Sequence, residues 1–89
     1  MGEHIEVHGR VMERHPDITP EDVAHAWANR IATATREDPR AGQTVAVGFD
    51  ARGRMLEMVA VEREDGTPLV FHAMTPPSTK TLRETGLVR

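Results

Sequence analysis

The sequence predicts an α+β fold: an antiparallel sheet of three to five strands, two N-terminal helices packed on one of its faces, and a short C-terminal helix. Three observations predict it. The stretch from Gln43 to Met74 contains three apolar runs, QTVAVGF, RMLEMVAVE and PLVFHAM, rich in Val, Leu, Phe and Met. Two short gaps, DARG and REDG, separate them, and each carries Asp followed by Gly as hairpin turns do. Before this stretch lies a capped amphipathic segment, ITPEDVAHAW, and after it a charged one, STKTLRETGL.

Taken in order, HIEVH reads as a short first strand, with His4, Glu6 and His8 on one face and Ile5 and Val7 on the other. Gly9 to His15 reads as a short helix that turns Val11 and Met12 inward and Arg10, Glu13 and Arg14 outward. Pro16 stops it, because a residue before proline is pushed out of the helical region. Thr19 caps a second helix whose first residue is Pro20. Glu21 and Asp22 place negative charge at its positive end, and Ile18 staples onto Val23. Val23, Trp27 and Ile31, with Ala24 and Ala28 beside them, form an apolar stripe expected to lie across the sheet, Trp27 as a core anchor. The alternation in ATATRE predicts a short strand over 33–36, and EDPRAG reads as a loop into the three main strands. At the other end, Ser78 or Thr79 caps a short helix around Leu82, and Gly86 ends it.

Eighty-nine residues bury enough surface for one core and no more, so residues 1–89 are read as a single domain. With no cysteine there is neither a disulfide framework nor a thiolate metal site, and no apolar run approaches the roughly 20 residues that span a bilayer. The opening MGEHIEVHGR has charges where a signal peptide needs an apolar core, which points to the cytoplasm. A net charge of −3 argues against a nucleic-acid ligand, whose binding is usually driven by a basic surface. The charge is uneven: residues 1–51 hold nine acids against five Arg, and residues 52–89 hold six Arg or Lys against five acids. Any anion-binding patch therefore belongs to the sheet and the tail.

Strand parity groups Val45, Val47 and Phe49 with Leu69, Phe71 and Ala73 as the core side. The middle strand is apolar on both sides, and Val70 and Met74 bracket His72 on the side away from Phe71. Two helices cover only one face. Met55, Met58 and Met74 then suggest an apolar surface for a partner protein, unless the C-terminal helix or a second copy of the chain covers it.

His72, inside an apolar strand, is either a hydrogen-bonded structural residue or the leading candidate for proton transfer, and His8 is the second candidate. The cluster of His4, Glu6 and His8 lacks an HExxH pattern, and neither a metal nor a cofactor is assigned. GFDARG lacks the Lys and the following helix of a phosphate-binding loop, and Ser78, the only serine, sits after Pro76 and Pro77 rather than in a nucleophile elbow.

The element order resembles that of the BrnT-type members of the RelE-like ribonuclease toxins. It is carried by HGRVMERHPDITPEDV, by REDPRAGQTVAVGF and by GRMLEMVAVERE before the last strand. The resemblance covers nearly the whole chain and implies an endoribonuclease toxin of a type II toxin-antitoxin pair, held silent by a cognate antitoxin protein, with RNA as substrate and no metal. It implies that His72 on the last strand, Arg54 and Arg63 on the middle strand, and Lys80 and Arg83 in the terminal helix carry the acid-base and phosphate-stabilising roles. The alternative reading is a non-catalytic interaction module of the same fold.

Overall fold

The computed structural model describes residues 4–36 and 42–89. Most of the EDPRAG segment, residues 37–41, lies outside them. The chain runs β1 (Glu6–Val7), α1 (Arg10–Arg14), α2 (Pro20–Ala28), β2 (Arg30–Arg36), β3 (Gln43–Phe49), β4 (Met55–Glu62), β5 (Pro68–Met74) and α3 (Thr79–Glu84).

The five strands form one sheet in the order β1-β5-β4-β3-β2. Strands β2 to β5 are an antiparallel meander, as the turn sequences predict. The sheet as a whole is mixed, because β1 pairs with β5 in parallel. This corrects the expectation of an all-antiparallel sheet: the two helices carry the chain from one sheet edge to the other, which frees β1 from the alternation that hairpins impose. Both β3–β4 and β4–β5 turns close in the same way. Gly53 and Gly66 sit at φ of +80° and +86°, and their amides donate to Asp50 and Arg63 carbonyls at 3.0 and 2.9 Å. Only glycine adopts that conformation without strain, which is why each gap ends in it.

The α2 start is built as the sequence predicts. Thr19 Oγ1 accepts from the Asp22 amide at 3.1 Å, Asp22 Oδ2 accepts from the Thr19 amide at 2.9 Å, and Pro20 occupies the first turn. Ile18 and Val23 are both fully buried in one cluster. The far end of the stripe differs. The helix stops at Ala28, Asn29 caps it, and Ile31 stands half exposed at the start of β2. Of the alanines it is Ala26, not Ala24 or Ala28, that is buried beside Trp27. The reason is on β3: a Cβ at Gly48 would overlap the Ala26 carbonyl oxygen and lie 3.0 Å from its carbon. The helix backbone thus rests directly on the strand, and the early end at Ala28 lets the chain turn straight into β2.

Which sheet face the helices cover also corrects the parity reading. The core under α1 and α2 uses Ala46 of β3, Leu56, Met58 and Ala60 of β4, and Val70 and Ala73 of β5. Val45 and Val47 are fully buried on the opposite face, where α3 packs. On β5 the pairing register jumps from Ala60↔Val70 to Val59↔His72, so Phe71 is an extra, bulged residue. The bulge breaks strict alternation, and Val70 and Ala73, three apart, share the helix side. Met58 is buried in the helix-side core, so it cannot belong to an exposed methionine surface. The second face is partly roofed by α3 instead.

Candidate functional site

A cleft of about 950 Å³ opens on the α3 side of the sheet. Its floor is Val59 of β4 with Phe71 and His72 of β5. One wall is α3, through Lys80, Thr81 and Glu84, and the other is α1 with its C-cap, through Arg10, Arg14 and His15. The α1 wall exists because β1 is only two residues long. It pairs with Leu69 and Val70 and leaves the rest of the β5 edge to α1.

Glu57 is the central polar group. It points from β4 to the α3 side and is buried, with its side chain 8% exposed. His72 Nε2 lies 2.7 Å from Glu57 Oε2, while Oε1 accepts from the Ser78 amide and the Ser78 hydroxyl, both at 2.9 Å. The register explains the contact. Val59 faces His72 directly, which puts Glu57 on the diagonal, within reach of a long side chain. Burial pushes the Glu57 pKa up, but the Ser78 amide, the Thr81 hydroxyl, the His72 ring and the Ser78 hydroxyl outweigh it and hold the carboxyl below its usual value. An ionised carboxylate only accepts, so Nε2 carries the ring proton and Nδ1 is the nitrogen left for other chemistry.

The same carboxylate positions α3. Ser78 caps that helix, its Oγ accepting from the Thr81 amide at 3.2 Å, while its own amide and hydroxyl are held by Glu57. Thr75 Oγ1 donates to the Met55 carbonyl at 2.7 Å and anchors the connection out of β5, which contains a cis Thr75–Pro76 bond. At the other end of α3, Arg36 donates to both Glu84 oxygens at 2.8 and 2.9 Å. The Arg36 guanidinium beside it holds the Glu84 carboxyl below its usual range.

Four cations (Arg10, Arg14, Arg36 and Lys80) line the cleft against two acids, Glu57 and Glu84. The cleft is therefore +2 with its histidines neutral, in a chain whose net charge is −3. Arg36 is committed to Glu84. Among the described residues, Arg10, Arg14 and Lys80 form no ion pair with a carboxylate, so their charges are available to an anion.

Of the residues singled out from the sequence, the structure brings His72 and Lys80 together in this cleft. Arg54 lies elsewhere, at the β3–β4 turn. Its Nε donates to the fully buried Asp50 carboxylate at 2.7 Å, its Nη2 to Asp22 at 3.1 Å and its Nη1 to Asp17 at 3.2 Å. Arg52 also reaches Asp22, at 2.9 Å, so this network ties the start of α2 to the turn. Arg63 pairs with Glu6 at 3.5 Å by the β4–β5 turn. Arg83 is on α3 but does not line the cleft. His8 is exposed, and its Nδ1 accepts from the Arg10 amide at 3.1 Å at the start of α1. Neither Arg54 nor Arg63 reaches His72.

Sequence reasoning missed Glu57, Arg10, Arg14 and His15. The signal for Glu57 was present: a lone carboxylate inside MLEMVAV, a central strand apolar on both faces, has to be buried with partners. The sequence places Arg10 and Arg14 on the outward side of α1, and what lies beyond that side is decided by the shortness of β1. No protein-family model, curated protein or solved structure matches the chain.

Proposed function

We propose that the chain is a metal-independent endoribonuclease of the RelE-like toxin type, acting in the cytoplasm and silenced by a cognate antitoxin protein. The observation that supports the nuclease reading is the His72–Glu57 pair on the floor of a locally cationic cleft. The toxin and antitoxin parts of the reading rest on the element order in the sequence.

The chemistry follows from the available atoms. His72 Nδ1 takes the proton of a ribose 2′-hydroxyl as its oxygen bonds to the neighbouring phosphorus. The bond from phosphorus to the 5′ oxygen breaks, leaving a 2′,3′-cyclic phosphate, and the departing oxygen takes a proton from solvent or from His15, the second cleft imidazole. Glu57 holds the His72 tautomer and favours the imidazolium that forms. Arg10, Arg14 and Lys80 offset the charge that builds on the phosphoryl oxygens. His72→Ala is expected to lower cleavage of RNA by about 10² to 10⁴ per folded molecule, the usual contribution of acid-base catalysis, with some loss of stability because the buried Glu57 carboxylate loses one donor. Undiminished cleavage by a folded His72→Ala protein would remove His72 from the mechanism.

One observation favours the second reading, a non-catalytic interaction module. The outer edge of β2 pairs with no described strand, and Ile31 and Phe49 at that end of the sheet are 50% and 38% exposed. A folded protein that cleaves no RNA yet forms a stable complex when co-expressed with the neighbouring reading frame is the outcome that reading expects.

A further inference from the structure

We infer that Phe71, turned into the cleft by a bulge, is a stacking platform for an unpaired base next to the scissile phosphate. The inference rests on the nuclease reading above and goes on to a residue that positions its substrate. A regular strand would put Phe71 and His72 on opposite faces. The register jump between Val59↔His72 and Ala60↔Val70 makes Phe71 the extra residue of a β-bulge, and both side chains line the same cleft. Phe71 is only half-buried, and it is one of two phenylalanines in a chain without tyrosine. A bulge that turns an aromatic ring toward a cationic cleft, next to the proposed base, offers a base an apolar face within one nucleotide of the scissile phosphate. Stacking of that kind needs an unpaired base, because in a duplex both faces of each base are already covered.

The charge distribution agrees. Duplex RNA is held across its minor groove by phosphate contacts spread over many base pairs. This chain measures 31 × 28 × 27 Å, is net acidic, and gathers its three available cleft cations, Arg10, Arg14 and Lys80, on two facing walls. That is enough for the two or three phosphates of a short single strand. It also sets a salt dependence: neutralising about three phosphates of a single strand gives a slope of log affinity against log salt of about −2.

The test uses a short oligoribonucleotide with 2′-O-methyl groups, which lacks the attacking hydroxyl, and its duplex with the complementary strand. Binding of each is measured to wild type, Phe71→Leu and Phe71→Tyr, all checked for equal melting. The expected result is tighter binding of the single strand than of the duplex, about tenfold weaker single-strand binding by Phe71→Leu, and retention by Phe71→Tyr, as the loss of one base–ring stack predicts. Equal affinity for single strand and duplex would overturn the inference, as would a folded Phe71→Leu with unchanged affinity, while leaving the nuclease reading in place. Binding of neither RNA by wild type would overturn both.

Discussion

A carboxylate buried under α3 with donors from Ser78, Thr81 and His72 behaves unlike the surface acids of this chain. Replacing Glu57 by Ala takes the acceptor away from those donors. The expected cost is about 3 kcal/mol in urea unfolding, the usual range for uncompensated buried polar groups. A cost below about 1 kcal/mol would show that the donors find water instead. The pH dependence has a fixed sign. Because the folded Glu57 pKa lies below its unfolded value, the unfolded chain binds a proton that the native chain does not, and stability falls as pH drops below about 5. Asp22, Asp50 and Glu84 are depressed likewise and add to the fall. Glu57→Gln should therefore show a shallower loss between neutral pH and pH 3 than wild type, without abolishing it, and calorimetry across that range would detect the difference.

The elements are joined by two devices that differ in strength. One is contact of backbone on backbone: α2 rests on β3 at Gly48, where an added methyl group meets the Ala26 carbonyl, an atom that cannot rotate away. Gly48→Ala should cost about 3 kcal/mol, more than the few tenths to 1 kcal/mol that a Gly→Ala change returns through the unfolded chain. A neutral or stabilising effect in urea titration would mean that α2 slides along β3 to make room. The other device is the ion network of Arg54 and Arg52 with Asp50, Asp17 and Asp22, which ties the β3–β4 turn to the start of α2. Arg54→Ala should lower the urea midpoint, since it leaves the buried Asp50 carboxylate with only backbone donors, and should leave cleavage per folded molecule unchanged. A large loss of cleavage by a folded Arg54→Ala protein would contradict the placement of the site on the other side of the sheet.

At the scale of the whole molecule, the sheet separates two jobs. Under α1 and α2 lies the apolar core, in which Trp27 is 4% exposed, with Arg30 over its ring at 4.6 Å. Trp27→Ala should cost roughly 3 to 5 kcal/mol as other large-to-small core changes do, and a change below 1 kcal/mol would deny Trp27 that role. The other face holds the cleft, roofed at one end by α3, and Glu57 serves both the attachment of α3 and the proposed chemistry there. If the toxin reading holds, inducing the chain alone in bacteria arrests growth and shortens transcripts, and His72→Ala abolishes both while Arg54→Ala at a permissive temperature does not. Normal growth with a soluble, folded wild-type protein would count against that reading.

The sequence by itself determined the elements whose causes are local. The capping box at Thr19 and Asp22, Pro20 in the first turn, the stop at Pro16, the Ser78 cap and the two glycine turns all depend on residues within a few positions of one another. It also marked His72 and Lys80, which share the cleft. What only the tertiary structure decided depends on partners distant in the chain. The bulge at Phe71 overturned strand parity, and with it the assignment of faces, because register is a property of two strands rather than one. The parallel pairing of β1 was set by the β5 edge, and the burial of Ala26 by its close approach to Gly48. Arg54 looked like a candidate for phosphate binding until Asp50, Asp17 and Asp22 were seen to surround it. Glu57 looked like one more charge until β5 and α3 closed over it. A side chain's type limits the chemistry it can perform, and the neighbours that fix its proton or neutralise its charge arrive only when strands and helices far apart in sequence are brought together.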